Sequence, residues 1–416
     1  MKFNRLLLAA AAMLTACAAG AKADDLRDYL AAAARNNPEL EAAFNRWKAE
    51  LERIPQVRAL PDPRFNYAYF VEEVETRVGP QKQRLGLSQV FPWFGTLKLR
   101  GEAAAEAAEA ERQRYEQAKR QLFYRVKSAF FEYHYLNRSI EITRQHLALL
   151  QQIEQVARTR LQTGEIQQNP VIQAQVELGK LDDKLRTLEA LREPLSARLS
   201  AALNRREDPV LPWPDSPVVT PAAFTDDEVR QWFSEASPEI MRLEAMIRKE
   251  QKTAELARKA RYPDIMLGLD YTQTDEALMP GVSDSGKDPI MATISVGLPL
   301  WFGKLKAAEQ EAHFRRAAAE ALRTAAENTL SADLQMALFN FRDAERKMNL
   351  YSDTLVPKAM QALEVTRESF ETGRDSFTAL IDAERMLLEF QLAADRAFTD
   401  REIRLAEIEM LINRDL

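Results

Sequence analysis

The stretch VFPWFGTLK, residues 90–98, returns as LPLWFGKLK at residues 298–306. The two Trp-Phe-Gly phrases begin at Trp93 and Trp301, which lie 301 − 93 = 208 positions apart, half of the 416-residue chain. A second pair, NPEL at residues 37–40 and SPEI at 237–240, keeps nearly the same spacing. A period of this length is far too long for a solenoid, so it indicates tandem duplication of one large unit.

The two halves are predicted to span residues 24–205 and 226–416. Between them, residues 206–225 contain five prolines, which exclude a helix interior or a central strand, so we interpret this stretch as a linker. Each half is expected to contain a helix, two strands, a very long helix, a turn and a returning helix. The first of these helices is expected to run without a break from about residue 24 to 59.

The N-terminus has the composition of a targeting segment. Two basic residues precede an apolar run over residues 6–16, and Ala21-Lys22-Ala23 has the form of a signal-peptidase site. We therefore interpret residues 1–23 as a signal peptide. Residues 14–17 also resemble a lipobox, so lipidation at Cys17 is the alternative, and both interpretations imply export. No later stretch reaches 18 apolar residues, so we expect no transmembrane helix.

Composition narrows the functional classes. A net charge of −6 without a basic, aromatic-rich patch argues against a nucleic-acid partner. The single cysteine excludes intramolecular disulfides and thiolate metal clusters, and the three histidines are far apart. No nucleophile–base phrase or phosphate loop occurs, so we expect no catalytic residues, no cofactor and no bound metal: the chain is not predicted to be an enzyme.

Four short segments alternate between apolar and polar residues, two in each half. The apolar positions are Phe65, Tyr67, Tyr69 and Val71; Leu85, Leu87 and Phe91; Ile265, Leu267, Leu269 and Tyr271; and Ile290, Ala292, Ile294, Val296, Leu298 and Leu300. Such a pattern fits a half-buried strand of a soluble sheet, or a membrane strand of about 9–11 residues. Export, segment length and polar faces of small and charged residues favour the membrane. Because four strands cannot close a barrel in lipid, several chains must contribute.

The stretches over residues 97–162 and 305–371 are predicted to be helices of about 100 Å. Their apolar positions recur by three and four, from Val126 to Leu150, and adding 208 predicts the same phase from Leu334 to Lys358. A sustained repeat of this kind requires a coiled-coil neighbour. Gly164 and Gly373 are expected to end the two helices.

The Trp-Phe-Gly phrases mark the passage from strand to helix. Trp93, Phe94, Trp301 and Phe302 are expected to form a belt at the membrane–water interface, where amphipathic rings are favoured. The alternative is that they are ordinary core aromatics at a strand–helix junction.

These features resemble the outer-membrane efflux protein (TolC) family. The resemblance rests on NNPEL (36–40), LGLSQVFPWFG (85–95), ISVGLPLWFG (294–303) and FETGRDSFTALIDAE (370–384), and it covers residues 24–415. It implies a mainly α fold with a small β part: a homotrimer with a 12-stranded outer-membrane barrel and a long coiled-coil α-barrel in the periplasm.

The implied function is that of a passive exit duct. Its partners would be a periplasmic adaptor and an inner-membrane efflux transporter in a tripartite pump. The FPWFG phrase resembles the members paired with heavy-metal or cation pumps of the resistance-nodulation-division class. A type I protein-secretion channel is the first alternative, and a trimeric coiled-coil surface protein is the second.

The resemblance also implies a gate at the helix tips. Asp382 matches an aspartate that lines the aperture, where threefold symmetry would make a ring of three carboxylates. Gln173 holds the corresponding place in the first half (382 − 173 = 209), and Glu165 and Asp375 would add negative charge. A solvated acid on a helix face is the alternative for Asp382. The turns expected to contact the adaptor comprise Thr163, Gly164, Thr372 and Gly373.

The residues that lock the tips of the family's archetype are not carried over. Their places are taken here by Phe370, Asp375, Pro170 and Asn169. The resemblance therefore predicts no particular closing contact.

Overall fold

The computed structural model describes residues 26–205, 210–215 and 217–416. The signal segment with Cys17, and residues 206–209 and 216 of the linker, lie outside the described residues.

Within these residues the chain is mainly helical with four strands, as predicted. In order, the elements are α1 (Leu26–Asn36), α2 (Pro38–Arg58), β1 (Arg64–Val74), β2 (Gln81–Phe91), α3 (Thr96–Gln162), α4 (Gln168–Ala190), α5 (Arg192–Ala202), α6 (Asp226–Ala236), α7 (Pro238–Lys259), β3 (Ile265–Thr274), β4 (Ile290–Val296), α8 (Phe302–Leu350), a π-helical turn (Tyr351–Leu355), α9 (Val356–Glu371) and α10 (Phe377–Ile412).

The prediction of one unbroken helix over residues 24–59 was wrong, because it ignored Pro38. The structure has α1 and α2, separated at Asn37. The Asn37 side-chain oxygen accepts hydrogen bonds from the backbone N–H groups of Glu39 and Leu40, both at 3.0 Å. Pro38 is the first residue of α2, where the N–H that it lacks would have no helical partner. The same break recurs in the second half, before Pro238.

The four strands form one antiparallel sheet in the order β1-β2-β3-β4. The register confirms the predicted apolar face, since Phe65, Leu87, Leu269 and Ala292 lie in one row across the sheet. Because β2 pairs with β3, the sheet joins the two halves of the duplication.

The last strand is shorter than predicted. The apolar alternation continues to Leu300, but β4 ends at Val296. Val296 pairs with Ile265, the first residue of β3, and the next contact is a single hydrogen bond from Gly297 N to Asp264 O at 3.0 Å. Beyond that point Pro299 has no N–H to donate, so the ladder stops.

The chain divides into two compact units, and each unit takes segments from both halves of the sequence. One unit comprises residues 42–115 and 238–328 and contains the sheet. The other comprises residues up to 41, 116–237 and 329–416, and contains the two helical hairpins. We call them the sheet unit and the hairpin unit.

The predicted coiled-coil positions form the core of the hairpin unit. Those buried in α3 are Val126, Ala129, Tyr133, Leu136, Ile140, Thr143 and Leu150, and those buried in α8 are Leu334, Ala337, Phe341 and Ala344. Near the turns, one apolar cluster draws residues from α3, α4, α9 and α10. Both hairpins therefore pack around a shared core.

The predicted phase fails in the second half beyond Tyr351. Lys358 is exposed and its neighbour Ala359 is buried, so the buried positions move by one residue. The cause is the π-helical turn, which holds one more residue than an α-helical turn. Pro357 follows directly; it cannot donate to an i−4 carbonyl and therefore favours such an irregularity. The long second helix is consequently two α-helices joined by this turn.

Candidate functional site at the helical hairpin turns

The two hairpins end in turns of the same design. Gly164 and Gly373 have φ values of +79° and +72°, a left-handed conformation that glycine adopts without a Cβ clash. After Gly164, Glu165 N bonds to Arg160 O at 2.9 Å, and Gly164 N bonds to Leu161 O at 3.1 Å. These two bonds form a Schellman motif, and Gly373 repeats it. Both glycines therefore end their helices as predicted.

The second turn is fixed more firmly than the first. Ser376 caps α10, because its hydroxyl accepts the N–H of Ala379 at 3.2 Å. Phe370 and Phe377, on either side of the turn, are buried and meet edge to face at 5.6 Å. In the first turn, Gln167 precedes α4 without a side-chain cap. The sequence difference between Ser376 and Gln167 therefore changes how rigidly each turn is held.

Arg160 connects the two turns. Its Nε donates to Glu165 in its own turn at 2.9 Å, and its Nη1 donates to the backbone oxygen of Phe370 in the other. The guanidinium also lies 5.0 Å from the centre of the Phe370 ring, within range of a cation–π contact. The hydrogen bond from Thr163 and the one from Arg160 lower the pKa of Glu165. Arg160 thus makes a contact between the two turns, where the sequence predicted no particular closing contact.

A second arginine joins the hairpins further from the turns. Arg385 of α10 donates from Nε to Glu177 of α4 at 3.1 Å and from Nη2 to the other carboxylate oxygen. Its Nη1 donates to Asp382 at 3.3 Å. The bond to Arg385 is the main cause of the lowered pKa of Glu177. Since the Arg385–Glu177 pair is bidentate, it fixes distance and orientation together.

The remaining predicted residues lie around these two links. The side chain of Asp382 is 60% exposed, and its negative charge is partly offset by Arg385 at 3.3 Å. Gln173 lies on α4, one turn before Glu177, and is half-buried, whereas Asp375 is exposed. The hydroxyl of Thr372 bonds to a carbonyl of its own helix, and that of Thr163 lies within bonding distance of the Arg160 carbonyl and of Glu165, so neither is presented freely at the turn. Arg160, Glu177 and Arg385 were not predicted, since only the packed hairpins reveal their partners.

Two histidines of α3, His134 and His146, are buried at separate levels of the hairpin unit. His146 contacts Glu384 through Nδ1 and Gln391 through Nε2, both at 2.8 Å. His134 is buried, and its Nδ1 has no hydrogen-bond partner among the described residues. Burial lowers the pKa of His134 to about 4, so it is neutral at physiological pH. Both histidines are therefore packed residues of a helix.

The sheet unit contains the predicted aromatic belt. Trp93 is half-buried and stacks on Tyr262, with ring centres 5.0 Å apart. Its backbone N–H bonds to Asp264 at 3.0 Å. Trp301 and Phe302 are 78% and 72% exposed. Phe94 is 79% exposed, like Phe302, so only the two tryptophans differ in their environment in the single chain.

The face of the sheet opposite the apolar row combines a charge pair with a glycine. Arg84 Nε donates to Asp270 at 3.2 Å, and Gly86 lies opposite Asp270 in the register. A Cβ at Gly86 would approach the Asp270 carboxylate to 2.6 Å. Glycine at this position leaves room for a charge pair on the polar face.

Within the described ranges, no helix combines the length and hydropathy needed to cross a membrane. No group of three or more His, Cys, Asp or Glu residues is placed to hold a metal ion among the residues that the structure describes.

Comparison with known proteins identifies the fold. A family model described as outer membrane efflux protein matches residues 29–205 and 231–414. A membrane protein from Pseudomonas aeruginosa is 20% identical, with a TM-score of 0.77 over 94% of this chain and 90% of its own. The channel-forming protein CusC is 16% identical, with a TM-score of 0.77 over 93% and 91%. The outer membrane protein VceC of Vibrio cholerae is 17% identical, with a TM-score of 0.74 over 94% and 96%. No curated protein matches the chain significantly.

Proposed function

This chain belongs to the outer membrane efflux protein family, and from that premise we propose that it is the exit duct of a tripartite efflux pump. It is an outer-membrane channel with a long periplasmic helical part, and it conducts passively rather than catalysing a reaction. In the proposed assembly, an inner-membrane transporter supplies the energy and a periplasmic adaptor joins the two.

The sheet supports a homotrimer. β1 and β4 are the two edges of a four-stranded sheet whose apolar face is exposed to solvent in the single chain. An open edge is not stable in lipid, and the smallest closed membrane barrels have about eight strands. Three chains would supply twelve strands and leave no edge.

The observation that carries the proposal is the pair of arginine links at the hairpin turns. Arg160 and Arg385 each join the first hairpin to the second through a polar contact. A duct must be closed when no pump is engaged, and contacts at the surface of two packed hairpins can open without unfolding the shared core. We propose that these links hold the tip closed and that adaptor contact at the turns around Gly164 and Gly373 releases them.

The proposed substrates are metal cations or small toxic compounds. Asp382 is exposed near the tip, and Glu165 and Asp375 add carboxylates there. Three symmetry-related copies of such a tip would attract cations. The FPWFG phrase, which resembles members paired with cation pumps, points to the same class.

The function is tested by recording currents through the purified protein in planar bilayers and by deleting its gene. We expect a cation-selective pore, and a deletion strain with reduced tolerance to metals, dyes or detergents. A protein that forms no pore would refute the duct and favour the coiled-coil surface protein. A pore whose deletion blocks secretion of a protein, with tolerance unchanged, would favour the type I secretion channel.

A further inference from the structure

A group of basic residues lies in the sheet unit where α7 ends. Arg258 and Lys259 occupy the last turn of this helix, and Arg261 follows two residues later. β3 begins at Ile265, so the cluster directly precedes a strand. Cations in the last turn of a helix stabilise it, but Arg261 lies beyond the helix and needs another reason.

One carboxylate organises both arginines. Glu309 of α8 accepts from Arg258 Nε at 2.8 Å through one oxygen and from Arg261 Nη2 through the other. The Arg258 and Arg261 side chains stay 56% and 54% exposed, whereas that of Glu309 is 19% exposed. Two guanidinium groups are thus held side by side by a single negative charge. Each keeps N–H donors that Glu309 does not use, of which Nη2 of Arg258 lies 3.4 Å from His313 Nε2.

A cavity of about 570 Å³ opens beside this cluster. Arg258, Lys259 and Arg261 line it, together with Glu255, Leu99 and Tyr262. With Glu255 in the lining and Glu309 bound to both arginines, three basic side chains stand against two acids, so the site keeps a net charge of +1.

The aromatic wall of the cavity is tied to the Trp-Phe-Gly phrase. Lys259 Nζ donates to Phe94 O at 3.1 Å and lies 5.9 Å from the centre of the Tyr262 ring. Trp93 stacks on the same ring. The basic cluster is therefore continuous with the aromatic residues expected at a membrane–water interface.

The register gives the level of the cluster relative to the apolar band. Ile265, four residues after Arg261, pairs with Phe91 and Val296 in the last row of the apolar face. Below this row the strands give way to helices. A membrane strand of this length spans an apolar band of about 25 Å, so the cluster lies at the headgroup level of the periplasmic leaflet.

We infer that Arg258, Lys259 and Arg261 form a binding site for the phosphate headgroup of an anionic phospholipid. The inference rests on the membrane placement of the sheet. Arginine forks match the geometry of phosphate oxygens, the lysine adds a point charge, and Tyr262 and Leu99 contact the apolar start of the acyl chains. The site anchors the lower rim of the barrel to the leaflet.

The test is lipid binding to the purified oligomer by native mass spectrometry. Phosphatidylglycerol is compared with zwitterionic phosphatidylcholine, and free glycerol phosphate is added as a competitor. We expect preference for phosphatidylglycerol, and a loss of about fivefold in its binding for each arginine removed in R258Q/R261Q. Millimolar glycerol phosphate should leave lipid binding unchanged; equal competition would mean a free-phosphate site and overturn the lipid assignment.

The matched control is R346Q/R367Q. Both arginines are exposed, pair within their own helices with Asp343 and Glu364, and lie in the hairpin unit. The control should bind phosphatidylglycerol as the unmodified protein does. Equal binding by R258Q/R261Q, or an equal loss in the control, would refute the site. If R258Q/R261Q does not assemble, R258K/R261K replaces it; it keeps the charge but loses the forked donors, and at least a roughly threefold loss is expected.

Pore currents separate this inference from the proposed function. In bilayers of phosphatidylcholine, all variants should conduct as the unmodified protein does. Normal currents with unaltered lipid preference in R258Q/R261Q would refute the lipid site alone. Selective lipid binding without currents from any protein would refute the duct alone.

Discussion

Replacing Arg385 by glutamine should loosen the contact between the two hairpins. The substitution removes a bidentate bond to Glu177 and a third bond to Asp382. The side chain of Arg385 is half-exposed, but that of Glu177 is only 14% exposed. R385Q therefore leaves a largely buried carboxylate without its strongest partner.

The free-energy cost of R385Q depends on the different exposure of the two partners, Arg385 and Glu177. Exposed ion pairs contribute about 0.2–1 kcal/mol, and breaking a buried pair costs about 3–5 kcal/mol. A bidentate pair with one shielded partner lies between these limits, at about 1–2 kcal/mol after allowance for solvent screening. If the pair holds the tip closed, its loss shifts the closed-to-open equilibrium by about 5–30-fold per protomer.

A double-mutant cycle isolates this energy. R385Q, E177Q and the double variant are compared by thermal or denaturant unfolding and by open probability in planar bilayers. We expect a coupling energy of about 1–2 kcal/mol and higher open probability in both single variants. R367Q serves as the control, since its partner Glu364 lies on the same helix and its loss cannot separate the hairpins. A coupling energy below about 0.3 kcal/mol, or unchanged currents, would refute the reasoning.

Three further outcomes are expected from the hairpin unit. D382N should lower the permeability ratio of cations over anions and weaken block by divalent cations, and unchanged currents would reject Asp382 as a pore residue. G373A should destabilise the fold by about 1 kcal/mol because of the left-handed φ, whereas G179A, in a helix with open space around it, should stabilise it; melting temperatures that shift in the same direction would contradict this. The pKa of His134 is lowered to about 4 in the folded chain, from 6.5 in the unfolded chain. Between these values the unfolded chain binds a proton that the folded chain does not, so the folded chain loses stability as the pH falls from 6.5 toward 4. H134Q should flatten the melting temperature over that range, and an unaltered pH profile would count against the burial argument.

The elements that local pattern determines were predicted from the sequence. Period-two alternation located all four strands, and the register confirmed their apolar face at Phe65, Leu87 and Leu269. The spacing of three and four found the buried positions of α3, because a long helix that buries one face shows its periodicity directly. Gly164 and Gly373 were recognisable as helix ends because a left-handed position favours glycine.

The polar contacts of the candidate site could not be predicted in the same way. Arg160 and Phe370 are 210 positions apart, and their link depends on the exact packing of two hairpins. Arg385 and Glu177 looked like two of many charges on helix surfaces. The end of β4 was missed because it depends on the partner strand, which begins only at Ile265.

The error in helix phase beyond Tyr351 had a signal in the sequence. Trp93 and Trp301 differ by 208 positions, but Gly164 and Gly373 differ by 373 − 164 = 209. The extra residue must be accommodated between them in the second half, and the π-helical turn at Tyr351–Leu355 does so.

The same turn has a consequence for anyone who exchanges parts between the halves. The turn accommodates one additional residue in the second half, while the helical segments before and after it keep the same orientation as their counterparts in the first half. Between Trp301 and position 351 counterparts are found by subtracting 208, and beyond the turn by subtracting 209. A chimera of these long helices built with the single offset of 208 would rotate the side chains beyond the turn by about 100° around their helix, turning core residues toward water.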